Sequence, residues 1–260
     1  MPISAIPNLK SEMNRYSVGS IIGIIVLWEV LVRALEIPKF LLPAPTTILS
    51  YVFAKWRLLG SHTSVTLMEA GLGFVIGSLA AILIAVQFLW FRPLKEMFFP
   101  YAVILNSTPI VAIAAPIVII FGSGMWSKVI TAFICVFFPV LGPTFKALSS
   151  AGASEMKLMD SYYSSRWQKF RHLQFPSALP QIFASFKVAW TLSVIGAVVG
   201  EVFGAYKGLG FLIVDAIYIM DTPRVFACII ACSLLGLSCV GLITLLERRS
   251  IAWHISEERR

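Results

Sequence analysis

Charged residues are scarce in this sequence of 260 amino acids. Asp, Glu, Lys and Arg together make up 13% of the chain and hydrophobic types 58%, whereas a soluble globular domain has about 25% charged and about 45–50% apolar residues. So few charged groups are too few to cover the surface of a soluble domain of this length. The composition therefore nearly excludes a soluble fold.

Motifs for nucleotide binding and covalent chemistry are also missing. The sequence has no Gly-x4-Gly-Lys-Ser/Thr phosphate-binding loop, and it contains not one Gly-Lys pair. It has no Gly-x-Ser-x-Gly or His-Glu-x-x-His motif of a hydrolase, and Gly208-Leu209-Gly210 is too short for a dinucleotide-binding fingerprint. We therefore expect no enzyme and no bound cofactor, and any ATP must be hydrolysed by another polypeptide.

Cysteine and histidine are few and widely spaced. Cys228 and Cys232 would share a helix face, but no His or acidic ligand accompanies them, so we expect no metal site. His62, His172 and His254 lie in three different parts of the chain, and we interpret them as scattered surface residues. The net charge of +8 does not indicate nucleic-acid binding, because no soluble module is long enough to present a basic stripe.

Long apolar runs, by contrast, occur along the whole chain. A helix rises about 1.5 Å per residue and needs about 20 apolar residues to cross about 30 Å of hydrocarbon. The runs predict an all-α, polytopic membrane protein with about six transmembrane helices. Their expected spans are 17–35, 65–90, 97–121, 126–147, 181–206 and 224–246. The first span is expected to stay uncleaved, because no small-residue cleavage site follows it.

Lys and Arg are unevenly distributed between the connecting segments. With the amino terminus in the cytoplasm, fourteen of the 21 fall in cytoplasmic segments, which is the side on which such residues are retained. We therefore expect both termini in the cytoplasm. The expected division is a cytoplasmic tail at 1–16, a first helix with an external loop at 17–56, a transmembrane core at 57–247 and a cytoplasmic tail at 248–260.

The segment 149–180 is richer in polar groups than the rest of the chain. We expect a short helix capped by Ser154, followed by a second one that begins at a capping box formed by Ser165 and Gln168. Pro176 and Pro180 are expected to end this second helix and to begin the fifth span. Trp167 and Phe170 give the second helix an apolar face, which either packs on the chain's own helices at the bilayer surface or binds a partner protein.

The third span contains several residues that interrupt a helix. Pro100 and Pro116 flank the sequence Asn106-Ser107-Thr108-Pro109. Proline within a membrane helix frees backbone carbonyls, which is tolerated where neighbouring helices or water bind them. We therefore expect a broken helix at Asn106, Thr108 and Pro109, with the first two as a polar wall of a water-filled path.

Small residues recur at every fourth position near the end of the fifth span. They are Gly196, Gly200, Gly204 and Gly208. This spacing lets two membrane helices approach closely, so we interpret these glycines as helix-packing positions. Gly73 and Gly77 form a shorter version on the second span.

Glu201 lies among these glycines. Ionisable groups inside a membrane are costly and usually functional. We expect Glu201 to form a gate or a structural ion pair, with Lys128 or Lys207 as its partner, rather than to bind substrate.

Several short motifs follow one another along the chain. They are Leu27-Trp28-Glu29, Phe40-Leu41-Leu42-Pro43-Ala44-Pro45, Phe121-Gly122-Ser123-Gly124, Phe137-Phe138-Pro139, Leu179-Pro180, and Glu201 followed by Gly208-Leu209-Gly210. In the order and spacing of these motifs, the region from about 27 to 253 resembles the membrane subunits, or permeases, of bacterial ATP-binding-cassette (ABC) importers. The similar branch handles nitrate, sulfonates, taurine, bicarbonate and pyrimidine vitamin precursors.

The resemblance implies the type I ABC importer transmembrane fold in the bacterial inner membrane. It also implies three protein partners: a separate ATP-binding subunit, an extracytoplasmic solute-binding protein that delivers the solute, and a second permease copy, either identical or related. The lipid bilayer is the remaining partner, and nucleic acid is not one.

In the resembling family the cytoplasmic loop is a coupling helix that fits a groove on the ATP-binding subunit. The loop pattern is Glu-Ala-Ala, a Gly four residues later, nine more residues and Ile-x-Leu-Pro. Anchored on Pro176, the Gly position falls on Tyr163 and the Glu position on Lys157, so Tyr163 is strained if the turn is left-handed. The candidate contacts with the ATP-binding subunit are Lys157, Tyr163, Ser164, Arg166, Trp167 and Phe170.

An ion-coupled secondary transporter is the alternative function. Glu201 or Glu69 would then carry protons across the membrane. Such a transporter is expected to show paired inverted repeats and mid-membrane charges, and neither is evident in the sequence.

Overall fold

The structure is a computed structural model that describes residues 9–251. Within that range it does not describe the side chains of 9–18, Arg92, Ala102, Val103, Leu105 and Asn106. The described residues form helices joined by short connections, and no strand occurs among them. The predicted all-α fold is thus confirmed.

The helices follow the apolar runs of the sequence, with short helices between the long ones. They are α1 (Leu9–Ala34), α2 (Pro45–Ala54), α3 (Trp56–Trp90), α4 (Arg92–Ser107), α5 (Ile110–Phe121), α6 (Met125–Ser149), α7 (Ala153–Ser161), α8 (Arg166–Lys169), α9 (Phe175–Gly204), α10 (Leu209–Tyr218) and α11 (Thr222–Ser250). A π-helical turn, Phe170–Gln174, joins α8 to α9 without a break.

Four helical stretches are long and apolar enough to cross a membrane. They are Trp56–Trp90, Met125–Ser149, Arg166–Gly204 and Thr222–Ser250, and they correspond to the second, fourth, fifth and sixth predicted spans. The first predicted span, 17–35, overlaps α1 as far as Ala34, where that helix ends. The third is not one helix, because α4 ends at Ser107 and α5 begins at Ile110.

Helix α6 lies at the centre of the bundle, between α3 and α9. Small residues allow this packing. A Cβ atom at Gly73 of α3 would lie 2.4 Å from Ala132 Cβ, and one at Gly196 of α9 would lie 2.8 Å from Ala132 Cα. The Ser193 hydroxyl of α9 donates a hydrogen bond of 2.6 Å to the Ala70 carbonyl of α3, which ties the two outer helices of this layer together.

The connecting segments differ from the predictions in two places outside the core. The external loop expected at the end of 17–56 contains the helix α2, whose Ile48 is buried. Residues 9–16 of the expected amino-terminal tail already belong to α1. The remainder of that tail, residues 1–8, and residues 252–260 of the other tail lie outside the described residues.

Two predictions for the segment 149–180 are wrong. Ser154 does not cap α7, because the N-cap is Gly152, two residues earlier, and the Ser154 hydroxyl donates to Glu155 instead. Pro176 does not end the helix that contains Trp167. The wider π-helical turn brings the Phe175 N–H to the Phe170 carbonyl, so the chain accommodates a residue without a backbone N–H and continues into α9.

Candidate functional site

Two groups of residues at opposite ends of the bundle carry the features of a functional site. At one end Trp90, the last residue of α3, contacts Trp167 and Phe170, with ring centroids 6.3 and 5.7 Å apart. We call residues 153–174 at this end the coupling loop. At the other end lie His62, Thr66, Glu69, Lys128 and Glu201, which we call the Glu201 cluster.

Glu201 is only 1% exposed, and both of its carboxylate oxygens accept hydrogen bonds. The Thr66 hydroxyl donates to Oε1 over 2.6 Å, and the Gly210 N–H donates to Oε2 over 2.6 Å. The Leu209 N–H in turn donates to the Thr66 hydroxyl oxygen over 2.9 Å. The hydrogen bonds of Glu201 and Thr66 therefore connect the segment 205–210 to both α9 and α3.

Gly208 is required for this close approach. Its φ is +112°, and a Cβ atom there would lie 2.2 Å from the Glu201 carboxyl carbon. Gly208 lies beyond the end of α9, so it does not continue the packing row formed by the three preceding glycines. Those three do pack: Gly196 and Gly200 lie against α6, and a Cβ at Gly204 would lie 2.7 Å from Val118 Cγ1 of α5.

His62 and Thr66 were not identified as site residues from the sequence. The Gly208 N–H donates to His62 Nδ1 over 3.0 Å, and the imidazole stacks on Phe211. His62 is therefore part of the cluster, and the interpretation of it as a scattered surface residue is wrong. The sequence spacing could have identified both residues, because positions 62, 66, 69 and 73 lie on one face of α3.

Lys128 is 1% exposed, and its ammonium group binds backbone rather than a carboxylate. It donates to the carbonyls of Ser123, Gly124 and Gly204 over 2.7, 3.1 and 2.7 Å. Among the described residues, Glu201 makes no direct ion pair with Lys128 or with the exposed Lys207. The hydrogen-bond partners of the Glu201 carboxylate are instead the Thr66 hydroxyl and the Gly210 N–H.

Glu69 is 4% exposed and shares a face of α3 with Thr66. Its Oε2 atom is buried and has no hydrogen-bond partner among the described residues. Burial of ionisable groups is costly unless they are paired or hydrogen-bonded. The cluster thus contains three buried ionisable side chains, those of Glu69, Lys128 and Glu201.

The break in the third predicted span lies between α4 and α5. The Thr108 hydroxyl donates to the Ile104 carbonyl over 3.1 Å, and Pro109 is the N-cap of α5. Both residues are exposed on the single chain. The Asn106 side chain, predicted to line the path with them, lies outside the described part of α4.

A cavity of about 360 Å³ opens between α3, α4 and α6. Phe98, Phe137 and Leu141 contribute to its apolar wall, while Gln87 and Tyr101 supply polar groups. The cavity lies on the α4 side of the break, and Thr108 and Pro109 are not part of its wall.

The coupling loop is a helical hairpin with a tight turn. The Tyr163 N–H donates to the Asp160 carbonyl over 3.0 Å and the Ser164 N–H to the Met159 carbonyl over 3.1 Å, which is the Schellman arrangement at a helix end. The φ of Tyr163 is 52°. The turn at this position is therefore left-handed, which is the case in which Tyr163 is strained, and this conformation costs a residue with a Cβ atom about 1–2 kcal/mol.

Side-chain contacts hold the two arms of the hairpin in place. Ser165 and Gln168 form the predicted capping box, in which the Gln168 side chain accepts from the Ser165 N–H over 2.7 Å. Lys169 forms an ion pair with Asp160 of α7. Glu155 accepts hydrogen bonds from its own N–H and from the Ser154 hydroxyl, which hold the pKa of its carboxyl below the usual value.

The candidate contact residues of the coupling loop differ in exposure. Tyr163 is 97% and Trp167 54% exposed, Lys157 and Arg166 are exposed, and Ser164 is half-buried. Phe170 is buried against Trp90 and Trp167, so it anchors the loop and is not available to a partner. The apolar face predicted for this helix is thus divided between the chain's own core and the surface.

Comparisons with known proteins agree with this arrangement. Residues 73–251 match the family model described as binding-protein-dependent transport system inner membrane component. The chain is 32% identical to the riboflavin transport system permease protein of Chloroflexus aurantiacus, over 90% of this chain and 88% of the relative. It is 31% identical to the formylaminopyrimidine transport permease protein of Halalkalibacterium halodurans, over 89% and 92%.

A solved structure shows the same fold. The MetNI methionine ABC transporter, in an inward-facing conformation, superposes with a TM-score of 0.59 at 18% identity. The match covers 78% of this chain and 97% of that chain.

Proposed function

Because the chain belongs to the family of binding-protein-dependent transport system inner membrane components, we propose that it forms one half of the solute path of an ATP-driven importer. It is a multi-pass protein of the inner membrane and a permease subunit of an ABC importer, as the resemblance implied, and such subunits are not enzymes. We propose that the other half is a second copy of the chain and that a separate subunit hydrolyses ATP.

The exposed coupling loop is the observation that carries this proposal. It presents Tyr163, Arg166 and Trp167 to the surface while Phe170 and the Lys169–Asp160 ion pair fix it to the bundle. A loop that is rigidly attached and exposed at its tip can transmit a displacement. Closure of two ATP-binding subunits on ATP would thus move the ends of α6 and α9 and switch the path between outward-open and inward-open arrangements.

The proposed orientation places the coupling loop and both termini in the cytoplasm. The uneven distribution of Lys and Arg supports it. The Glu201 cluster then lies near the extracytoplasmic side, at the end where the solute-binding protein would deliver its solute.

In this orientation, we infer that the Glu201 cluster is a structural gate. It joins α3, α6, α9 and the segment 205–210 through buried hydrogen bonds. A gate of this kind holds the extracytoplasmic ends of these helices together until the bundle moves. Glu201 does not need to touch the solute for this role.

The break at Thr108 and Pro109 is the proposed polar wall of the path, together with Asn106. Thr108 and Pro109 are exposed on the single chain, and a second copy would enclose the space that they face. The solute is proposed to belong to the nitrate, sulfonate, taurine, bicarbonate or pyrimidine-precursor class. The names of the two relatives above, one for a formylaminopyrimidine and one for riboflavin, favour a nitrogen heterocycle.

The alternative of an ion-coupled transporter is less well supported. Glu69 and Glu201 are both buried, and the Glu201 carboxylate is bound by the Thr66 hydroxyl and the Gly210 N–H. The family to which the chain belongs couples transport to a binding protein. ATP is therefore the energy source that the observations favour.

Substitution of Trp167 tests the role of the coupling loop. Trp167→Asp should abolish transport-linked ATP hydrolysis in the reconstituted complex, because a charge replaces the half-exposed ring at the proposed contact. Trp167→Phe keeps an aromatic ring against Trp90 and Phe170 and should retain hydrolysis. Unchanged hydrolysis with Trp167→Asp would refute the assignment of this loop.

A further inference from the structure

Tyr163 combines two features that nothing within the described chain explains. Its φ of 52° lies in the left-handed region, which residues with a Cβ atom adopt at a cost. Its ring is 97% exposed, so no internal contact offsets that cost. Glycine would suit the turn better, and a polar side chain would suit water better.

Left-handed backbone alone does not single out Tyr163. Glu36 and Met220 also have positive φ values, 49° and 56°, in connections at the other end of the bundle. Tyr163 differs because it places an aromatic ring at the tip of the coupling loop, next to the 75% exposed Tyr162. Strained residues that persist at such positions are commonly part of a functional contact.

The charges of the coupling loop indicate the chemistry of the partner surface. The coupling loop contains four Lys or Arg residues and two acidic residues. Asp160 is occupied by Lys169, while Lys157 and Arg166 are exposed and make no ion pair with another described residue. The coupling loop therefore combines an exposed aromatic ring with an excess of positively charged side chains.

We propose that Tyr163 determines which ATP-binding subunit this permease accepts, by inserting its ring into an apolar slot with an acidic rim on that subunit. The proposal rests on the proposed function, in which the coupling loop docks to an ATP-binding subunit. Tyrosine rings that are exposed on the free protein and buried at the centre of an interface often dominate binding. The left-handed backbone at Tyr163 is then retained because binding of the ring to the partner offsets its energetic cost.

The test compares the free energy of folding with the affinity for the partner. The full-length permease in nanodiscs is titrated with the ATP-binding subunit of its own transporter, and its Tm is measured separately. Tyr163→Gly should raise Tm by about 2–4 °C, because glycine relieves the left-handed strain. The same variant should weaken binding of the ATP-binding subunit about 30-fold, because the ring is lost.

Two further variants distinguish the effect of losing the ring from the effect of relieving backbone strain. Tyr163→Phe keeps the ring and should bind like the wild type. Met220→Gly relieves the same kind of strain at the other end of the bundle, so it should raise Tm without a change in affinity.

Several results would overturn the inference. These are unchanged affinity of Tyr163→Gly, a loss of affinity that accompanies a lowered Tm, or an equal loss with Met220→Gly. Unchanged affinity is also the result expected if the ring lies among lipid headgroups. If Trp167→Asp abolishes binding but Tyr163→Gly does not, the inference fails while the proposed function stands; if the wild type itself does not bind, the proposed function fails.

Discussion

At the scale of single residues, Thr66 joins three parts of the molecule through one hydroxyl group. It donates to Glu201 of α9 and accepts from the Leu209 N–H at the start of α10, while belonging to α3 itself. All of these groups are buried. A buried polar group that loses its partner costs about 1–3 kcal/mol. Loss of the Thr66 hydroxyl is therefore expected to lower the stability of the protein.

Thr66→Val should therefore destabilise the protein by about 2 kcal/mol or more, because both a carboxylate oxygen and an N–H lose a partner. Thr63→Val is the matched control. The Thr63 hydroxyl donates only to the Leu59 carbonyl within the same helix, and its loss should change stability by less than about 0.5 kcal/mol. Thermal unfolding in one detergent compares the two variants, and equal effects would contradict the bridging role of Thr66.

Sequence reasoning located some site residues and missed others for a physical reason. The capping box at Ser165 and Gln168 depends on neighbours within the same segment, so a local pattern predicted it. At Tyr163 the family resemblance left open whether the turn is left-handed, and only the structure shows that it is. The role of Thr66 depends on a residue 135 positions away, and no local pattern reports that distance. Phe170 was placed on the partner surface because periodicity defines a face but does not indicate what covers it.

At the scale of helices, close packing of α3, α6 and α9 depends on small residues at the contacts. The glycine spacing predicted such contacts, and Gly73, Gly77, Gly196 and Gly200 all lie against α6. The expected fifth span ended at 206, before Gly208, but the sequence could not show that Gly208 approaches the Glu201 carboxylate, because that contact depends on the backbone path after α9. The break between α4 and α5 was accessible from the proline positions alone.

Gly73 and Gly71 provide a matched pair on one helix. Gly73→Ala should destabilise the bundle by about 1–3 kcal/mol, because the new methyl group would lie 2.4 Å from Ala132 Cβ and α6 would have to move. Gly71→Ala has no atom within 4 Å of the new methyl group and should be neutral or stabilising by up to about 1 kcal/mol through helix propensity. The two unfolding temperatures check this, and a shift in the same direction for both would contradict the packing account.

At the scale of the whole molecule, the coupling loop and the Glu201 cluster occupy opposite ends of the same three helices. Helix α9 continues without a break from the coupling loop to Glu201, so a displacement of the loop can reach the cluster through one rigid element. The apolar runs predicted the long helices because the cost of burying polar groups in lipid is large. The short helices α2 and α10 were missed, since at 10 residues each they are too short to give that signal.

The most direct test of the account measures whether ATP at the coupling loop moves the opposite end of the bundle. Spin labels on Tyr218→Cys, an exposed position at the end of α10, report the distance between two copies in a cysteine-free background, in the complex with the ATP-binding subunit. A non-hydrolysable ATP analogue should change that distance in the complex, and the change should disappear with Trp167→Asp. A change that occurs without the ATP-binding subunit, or that persists in Trp167→Asp, would contradict the account.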